Sequence, residues 1–154
     1  MLNIINKDIL TVKKGIVVQC SNTLGVVGGL AKAIADKYPQ VYKRYKQDLA
    51  LGANLGEGSV CQITEGLFFI SMLTQSEIGT YKVQTNFAAL ESCLKKVKLC
   101  SDMYNLPVWI PYFLGSGLGG GSTQQTKQET WAKVSELIMS ILPEATICKL
   151  ESLL

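Results

Sequence analysis

The residues best suited to chemistry in this chain are glycines. Gly25, Gly28 and Gly29 follow one apolar run, and Gly115, Gly117, Gly119, Gly120 and Gly121 follow another. A residue without a Cβ lets backbone N–H groups come close to an anion, and a helix start behind such a loop adds favourable positive potential. One such loop is compatible with a plain turn. Two of them, each directly after a strand, suit a ligand with two phosphates, because ligands of α/β sheets bind at the carboxyl ends of strands. Gly115-Ser116-Gly117-Leu118-Gly119-Gly120 also satisfies the G-x-G-x-x-G dinucleotide pattern in form. That pattern opens a helix at once and has an acid about 20 residues on. Here helical periodicity resumes only near Glu129 and a single strand follows, which argues against a dehydrogenase. No G-K-S or G-K-T triplet occurs, so a P-loop is excluded.

Side-chain chemistry is sparse. The chain has no histidine, which removes the commonest general base, the usual zinc ligand and the Ser-His and Cys-His nucleophile pairs. Its carboxylates are Asp8, Asp36, Asp48, Asp102 and the glutamates, and no two stand at a spacing that suggests a metal or a paired acid–base site. No metal and no cofactor are expected. Asp36, Asp48 and Asp102 lie in or beside helical stretches and read as solvated surface groups. Asp8 differs, because it follows the first strand and is flanked by Ile9 and Leu10. Five cysteines, odd in number and far apart, form no C-x-x-C pair and read as reduced, mostly buried residues of a cytoplasmic protein.

The elements that must position these loops can be read from periodicity. The 154 residues fit one domain spanning 1–154. With 47% hydrophobic and 18% charged residues, a packed core is expected. Residues 2–5 and 15–20 read as strands, and Leu30, Ile34 and Tyr38 mark a helix that Pro39 punctuates. A second helical stretch covers 40–50. Residues 59–64 and 67–73 read as a hairpin about Glu65-Gly66. Phe87, Leu90, Leu94 and Val97 draw one stripe on a helix over 85–104, followed by a strand over 108–112. Thr126-Lys127-Gln128-Glu129 has the pattern of a capping box, opening a helix striped by Trp131, Val134, Ile138 and Ile141. Residues 145–150 form the last strand. The expected architecture is α/β, a mixed and mostly parallel sheet covered by helices on both faces.

Partners are bounded by charge and hydropathy. Net charge is only +3, and the basic groups Lys43-Arg44 with Lys46, and Lys95-Lys96 with Lys98, read as solvated helix faces, so nucleic acid is not expected. The longest apolar run, Leu67-Phe68-Phe69-Ile70, is far short of the ~20 residues a membrane span needs. The first residues carry no readable secretory signal.

From about Asn3 to Leu150 the same residues resemble the macro domain family, a three-layer α/β/α fold. The resemblance rests on Lys7-Asp8-Ile9-Leu10 after the first strand, on the run through Asn22 into Gly25-Val26-Val27-Gly28-Gly29-Leu30, and on Ile110-Pro111 followed by Gly115-Ser116-Gly117-Leu118 and later Trp131. The helix segment Ala31-Lys32-Ala33-Ile34-Ala35-Asp36-Lys37-Tyr38-Pro39 looks like that of the small stand-alone branch, which includes ADP-ribose-1″-phosphate phosphatases and the terminal ADP-ribose protein glycohydrolase.

The resemblance implies a pocket for ADP-ribose or a derivative of it. Asp8 would accept from the adenine amino group, with the Ile9 backbone nearby. Asn22 would contact the distal ribose, and it is the one catalytic candidate. Gly28, Gly29 and Leu30 would offer backbone donors to the distal phosphate and ribose. The second loop, Gly115, Ser116, Gly117, Leu118 and Gly119, would wrap the diphosphate.

Three departures bear on activity. Gln19 stands where the phosphatase branch often has a histidine. Gln75 and Gly119 align with the lysine and aspartate of the glycohydrolase branch, and the segment 119–130 is longer than usual, as for a lid. The expected function is a sensing or sequestering module for an ADP-ribose-derived nucleotide, of the kind used in conflict between virus and host. The alternative is a hydrolase that removes the 1″-phosphate from ADP-ribose 1″-phosphate or ADP-ribose from a modified group.

Overall fold

The computed structural model describes residues 1–117 and 119–150. Its strands are β1 (Asn3–Asn6), β2 (Gly15–Asn22), β3 (Gly58–Thr64), β4 (Leu67–Gln75), β5 (Val108–Pro111) and β6 (Thr146–Lys149). The helices are α1 (Gly29–Lys37), α2 (Pro39–Ala50), α3 (Phe87–Tyr104) and α4 (Gln124–Ile141). The strands form one sheet in the order β1-β6-β5-β2-β4-β3. All neighbours are parallel except β3 and β4, the antiparallel hairpin.

Two cores lie on the two faces of the sheet. Ile16 and Val18 of β2 join Ile70, Met72, Ile110 and Ile147 beneath α3 and α4, which contribute Leu90, Leu94, Val134 and Ile138. Val17 points the other way, to Ile34, Val41 and Phe69 beside α1 and α2. Fully burying each such side chain contributes about 1.5–3 kcal/mol. Burial on both faces explains why these central strands read in the sequence as unbroken apolar runs. The α3 stripe packs as expected, with Leu90, Leu94 and Val97 buried. Asn86 caps its start, its side chain accepting from the Ala89 N–H at 2.9 Å. Pro39 occupies the first turn of α2, where its missing N–H removes no helical bond.

Several boundaries and roles differ from expectation. Helix α4 starts at Gln124, a turn before the expected box at Thr126. Thr123 is the cap: its hydroxyl accepts from the Thr126 N–H at 3.0 Å, and the Thr126 hydroxyl accepts from the Thr123 N–H at 3.2 Å. The segment 119–130 is therefore largely helix and not an extended lid. Asp48 is not a free surface group. Its side chain is 20% exposed and accepts from Arg44 Nε at 3.1 Å and from the Ser59 hydroxyl at 2.7 Å, tying α2 to β3. Among the cysteines, Cys61, Cys93 and Cys148 are buried, and Cys20 and Cys100 are partly buried. Among the described residues no helix is long and apolar enough to cross a membrane.

Candidate functional site

The two glycine loops leave the carboxyl ends of β2 and β5, which are adjacent and parallel, with Ile16 opposite Val108 and Val17 opposite Trp109. From β2 the chain turns to α1, α2 and the β3–β4 side of the sheet. From β5 it turns through α4 to β6 on the opposite side. Where successive connections diverge in this way, an open α/β sheet leaves a crevice at its carboxyl edge, the usual place for a ligand.

Side chains hold the first loop from behind. Asn22, 7% exposed, accepts through Oδ1 from the N–H groups of Leu24 at 3.0 Å and Val26 at 3.2 Å, and donates through Nδ2 to the Val26 carbonyl at 2.9 Å. From α2, the Tyr45 hydroxyl reaches both Asn22 oxygens, and the Tyr42 hydroxyl donates to the Gly25 carbonyl at 3.2 Å. Burial pushes the Tyr45 phenol above its ordinary range, so it stays a donor. In front, Gly28 caps α1 with no side-chain hydrogen bond, and the first helical bond runs from Lys32 N–H to the Gly28 carbonyl at 3.4 Å. The N–H groups of the first turn are thus left for a ligand or water. Gly29 has φ +53°, and a Cβ there would meet nothing within 4 Å.

The second loop is held by its own backbone. Ser116 is fully buried, donating from its N–H to the Phe113 carbonyl at 2.8 Å and from its hydroxyl to the Leu114 carbonyl at 3.1 Å. Gly120 donates to the Gly117 carbonyl at 3.2 Å, and a Cβ on Gly120 would fall 2.3 Å from the Ser116 carbonyl oxygen. The segment before α3 fixes the loop from the side. Thr85 donates through its hydroxyl to the Gly115 carbonyl at 2.6 Å, and the Gln84 N–H donates to the Gly119 carbonyl at 2.9 Å. Gly117 is exposed, with open space where a Cβ would stand. Leu118 lies outside the described residues.

Asp8 sits at the far edge of the sheet, just beyond β1. It caps the 3-10 turn Ile9–Thr11, accepting through Oδ1 from the Leu10 N–H at 2.9 Å, while the Ile9 side chain is buried in the core. With β6 and β5 between β1 and β2, the ends that carry Asp8 and Asn22 are roughly 14 Å apart by ordinary strand spacing. The sheet edge therefore brings Asp8, the Gly28–Leu30 amides and the second loop to one side of the molecule.

Sequence reasoning missed an aromatic cluster at the root of the second loop. Tyr112 and Phe113 stack at 5.3 Å, and Trp131 of α4 tilts against both, at 5.1 and 5.9 Å. Lys149 Nζ lies 4.2 Å over the Tyr112 ring. Phe113 adopts φ +66°, an uncommon state for a bulky residue, which its two ring contacts hold in place. The adjacent aromatic pair after Pro111 was the available signal.

The positions aligned with hydrolase residues do meet. A Cβ on Gly119 would lie 2.7 Å from Gln75 Oε1, yet neither residue carries a charge. The charged groups of the neighbouring loop pair with each other, Lys82 Nζ to Glu77 Oε2 at 2.9 Å, and that contact holds the Glu77 carboxyl below and the Lys82 ammonium above their ordinary ranges. Gln19 is buried and faces the α1–α2 layer, donating to Ser71 Oγ at 3.1 Å. Among the described residues no group of three or more metal-ligating side chains comes together. The arrangement offers backbone donors and a single carboxylate, which is the chemistry of anion and nucleotide capture.

A three-layer α/β/α sandwich with paired glycine loops at its switch point is the class that this fold and edge define. No family profile and no curated protein matches the sequence. Solved structures do. A protein of unknown function from Bacteroides thetaiotaomicron superposes with a TM-score of 0.81 at 20% identity, over 96% of this chain and 97% of that one. A macrodomain protein from Streptomyces coelicolor gives 0.77 at 21% identity, over 97% and 99% of the two chains. Thermosipho africanus DarTG, solved in complex with ADP-ribose, gives 0.74 at 18% identity, over 96% of this chain and 41% of that one. The chain has the macrodomain fold.

Proposed function

We propose that the cleft binds ADP-ribose or a nucleotide derived from it, as a cytoplasmic sensing or sequestering module with little catalysis. The observation that carries this reading is the pair of open glycines, Gly29 and Gly117, on loops from adjacent parallel strands, each with free space where a side chain would stand. A diphosphate fits between them, taking N–H donors from the first turn of α1 on one side and from the second loop on the other. The carboxylate of Asp8, whose Oδ1 accepts from the Leu10 N–H, then meets the base. The ADP-ribose bound to Thermosipho africanus DarTG, which shares the fold, supports the choice of ligand.

Asn22 is the weak point of a hydrolytic reading. Its carbonyl and amide already serve the loop, so it holds the site's shape and has little left to activate water. Gln75 and Gly119 bring no acid, base or nucleophile to the position where they meet. Loss of a general acid–base group typically lowers rate by about 10²–10⁴-fold. Calorimetry against ADP-ribose, with phosphate release from ADP-ribose 1″-phosphate followed over hours, tests the reading. Stoichiometric binding with at most slow release is expected. Turnover at about one per second or faster, abolished by Asn22→Ala, would establish the hydrolase instead.

A further inference from the structure

The strand order β1-β6-β5-β2-β4-β3 gives a nucleotide bound as proposed above a direction. Its base lies by Asp8 at the β1 edge, and its diphosphate lies between the loops after β5 and β2. The terminal ribose then points toward the end of β4, the next strand, and the loop 76–86 that leaves it. That loop is tied to the cleft at both ends. At its start, the Gln75 carbonyl accepts from the Thr23 N–H of the first loop at 3.0 Å. At its finish, Val83 bridges to Gly120 and the Gln84 N–H donates to the Gly119 carbonyl at 2.9 Å.

Between these ties the loop presents Ile78, Tyr81 and Val83 to solvent, with Tyr81 68% exposed. Exposed apolar residues are ordinary when scattered, whereas a group of them beside a ligand cleft marks a binding surface. The Tyr81 ring is braced, since its hydroxyl donates to Glu77 Oε2 at 3.2 Å and Lys82 Nζ lies 5.7 Å from its centroid. Glu77 and Lys82 neutralise each other at 2.9 Å. Lys46 of α2 stays behind the first loop, its Nζ over the Tyr42 ring at 5.7 Å. A phosphate on the terminal ribose would here give up water without gaining a free cation, which is unfavourable. An aromatic group would find a ring to stack on and aliphatic side chains beside it. Resting on the nucleotide reading, we infer that the cleft continues past the terminal ribose onto this loop, and that its ligand is ADP-ribose joined at that ribose to an uncharged apolar or aromatic group. Tyr81 is the residue that selects it.

Calorimetry on the full chain tests this with ADP-ribose, ADP-ribose 1″-phosphate and a derivative carrying a benzyl group on the 1″ oxygen. Partial burial of the added ring should make the benzyl derivative bind about tenfold tighter than ADP-ribose, while the 1″-phosphate binds no tighter. In Tyr81→Ala the ratio of the benzyl to the plain affinity should fall toward one, and Tyr81→Phe, which keeps the ring, should preserve it. A ratio near one in the unaltered protein, or a preference for the 1″-phosphate over the benzyl derivative, would overturn the inference and leave the nucleotide reading intact. A ratio that survives Tyr81→Ala would overturn the role of Tyr81. Failure of ADP-ribose itself to bind would instead end the nucleotide reading, and this inference with it.

Discussion

The two loops that frame the cleft present the same kind of surface and are built in opposite ways. The loop after β2 takes its shape from side chains, since Asn22, Tyr42 and Tyr45 bind its backbone from behind. The loop after β5 takes its shape mainly from close backbone packing, since Gly120 and Gly119 leave room for the backbone to fold on itself and Thr85 only steadies it from the side. The first is therefore sensitive to truncation and the second to addition. Two routes to one kind of surface need opposite mutations to break them.

The largest effect is expected at the open face of the second loop. Gly117→Glu has space for its side chain in the free protein, so the melting temperature should hold. Its carboxylate then faces the diphosphate, and a like-charge contact costing several kcal/mol lowers affinity on the order of 100-fold or more. Calorimetry on the folded variant checks this, and unchanged ADP-ribose affinity would remove the loop from the site. Next comes Gly120→Ala. The added methyl would stand 2.3 Å from the Ser116 carbonyl oxygen, a backbone atom that cannot swing aside. Overpacking of this kind destabilises by about 1–3 kcal/mol, so a denaturant titration should show the loss together with weakened binding. A variant as stable as the parent would mean that the loop is looser than its geometry implies.

Asp8→Ala tests the far end of the cleft. It removes both the cap on Leu10 and the proposed base contact, and a hydrogen bond to a charged group is worth about 1.5–3 kcal/mol. Binding of ADP-ribose should weaken accordingly, while the inosine analogue, which lacks the amino group, changes little. Equal losses for both ligands would show that Asp8 acts through the turn alone. Tyr45→Phe is the matching test of the first loop, with an expected loss of about 1 kcal/mol in stability and a smaller one in affinity, read by thermal melts and calorimetry.

The smallest effect concerns Cys20, whose sulfur would lie 3.4 Å from a Cβ on Gly115, beneath the second loop. Burial pushes its thiol up to about 12, so at pH 8 it is protonated and a poor nucleophile. Because the folded value lies above the unfolded one, its contribution to stability is complete below pH 9 and declines as pH rises toward 12. Mass spectrometry should find Cys20 nearly unlabelled by iodoacetamide at pH 8. Fast labelling would show that the second loop opens.

Much of this plan was legible in the sequence. The two-sided strands showed as apolar runs such as Leu67-Phe68-Phe69-Ile70, and α3 showed as a clean stripe. The glycine loops stood out by composition. The start of α4 did not, because its first turn, Gln124 to Lys127, holds no apolar residue and Thr126 fits a capping pattern in either register. The job of Asn22 was hidden for a different reason. Its partners Tyr42 and Tyr45 lie on another element, and only packing of α2 against the loop brings them there. The tether between Asp48 and Ser59 was hidden in the same way. Local periodicity reveals elements, whereas the polar contacts between elements depend on their final arrangement.

The pairing of β1 with β6 also sets an order of events during synthesis. Asn3 lies beside Thr146 and Asn6 beside Lys149, so β1 cannot pair with β6 until about 140 residues later in the chain have been made. At 5–20 residues per second, that wait is roughly 7–30 s. Through it the glycine loops can already form on β2, β4 and β5, which are complete by Pro111. The edge that carries Asp8 cannot. A nascent or truncated chain ending before Thr146 would hold both glycine loops and lack a docked β1, so the contact proposed between Asp8 and the base is the last feature of the cleft to be acquired.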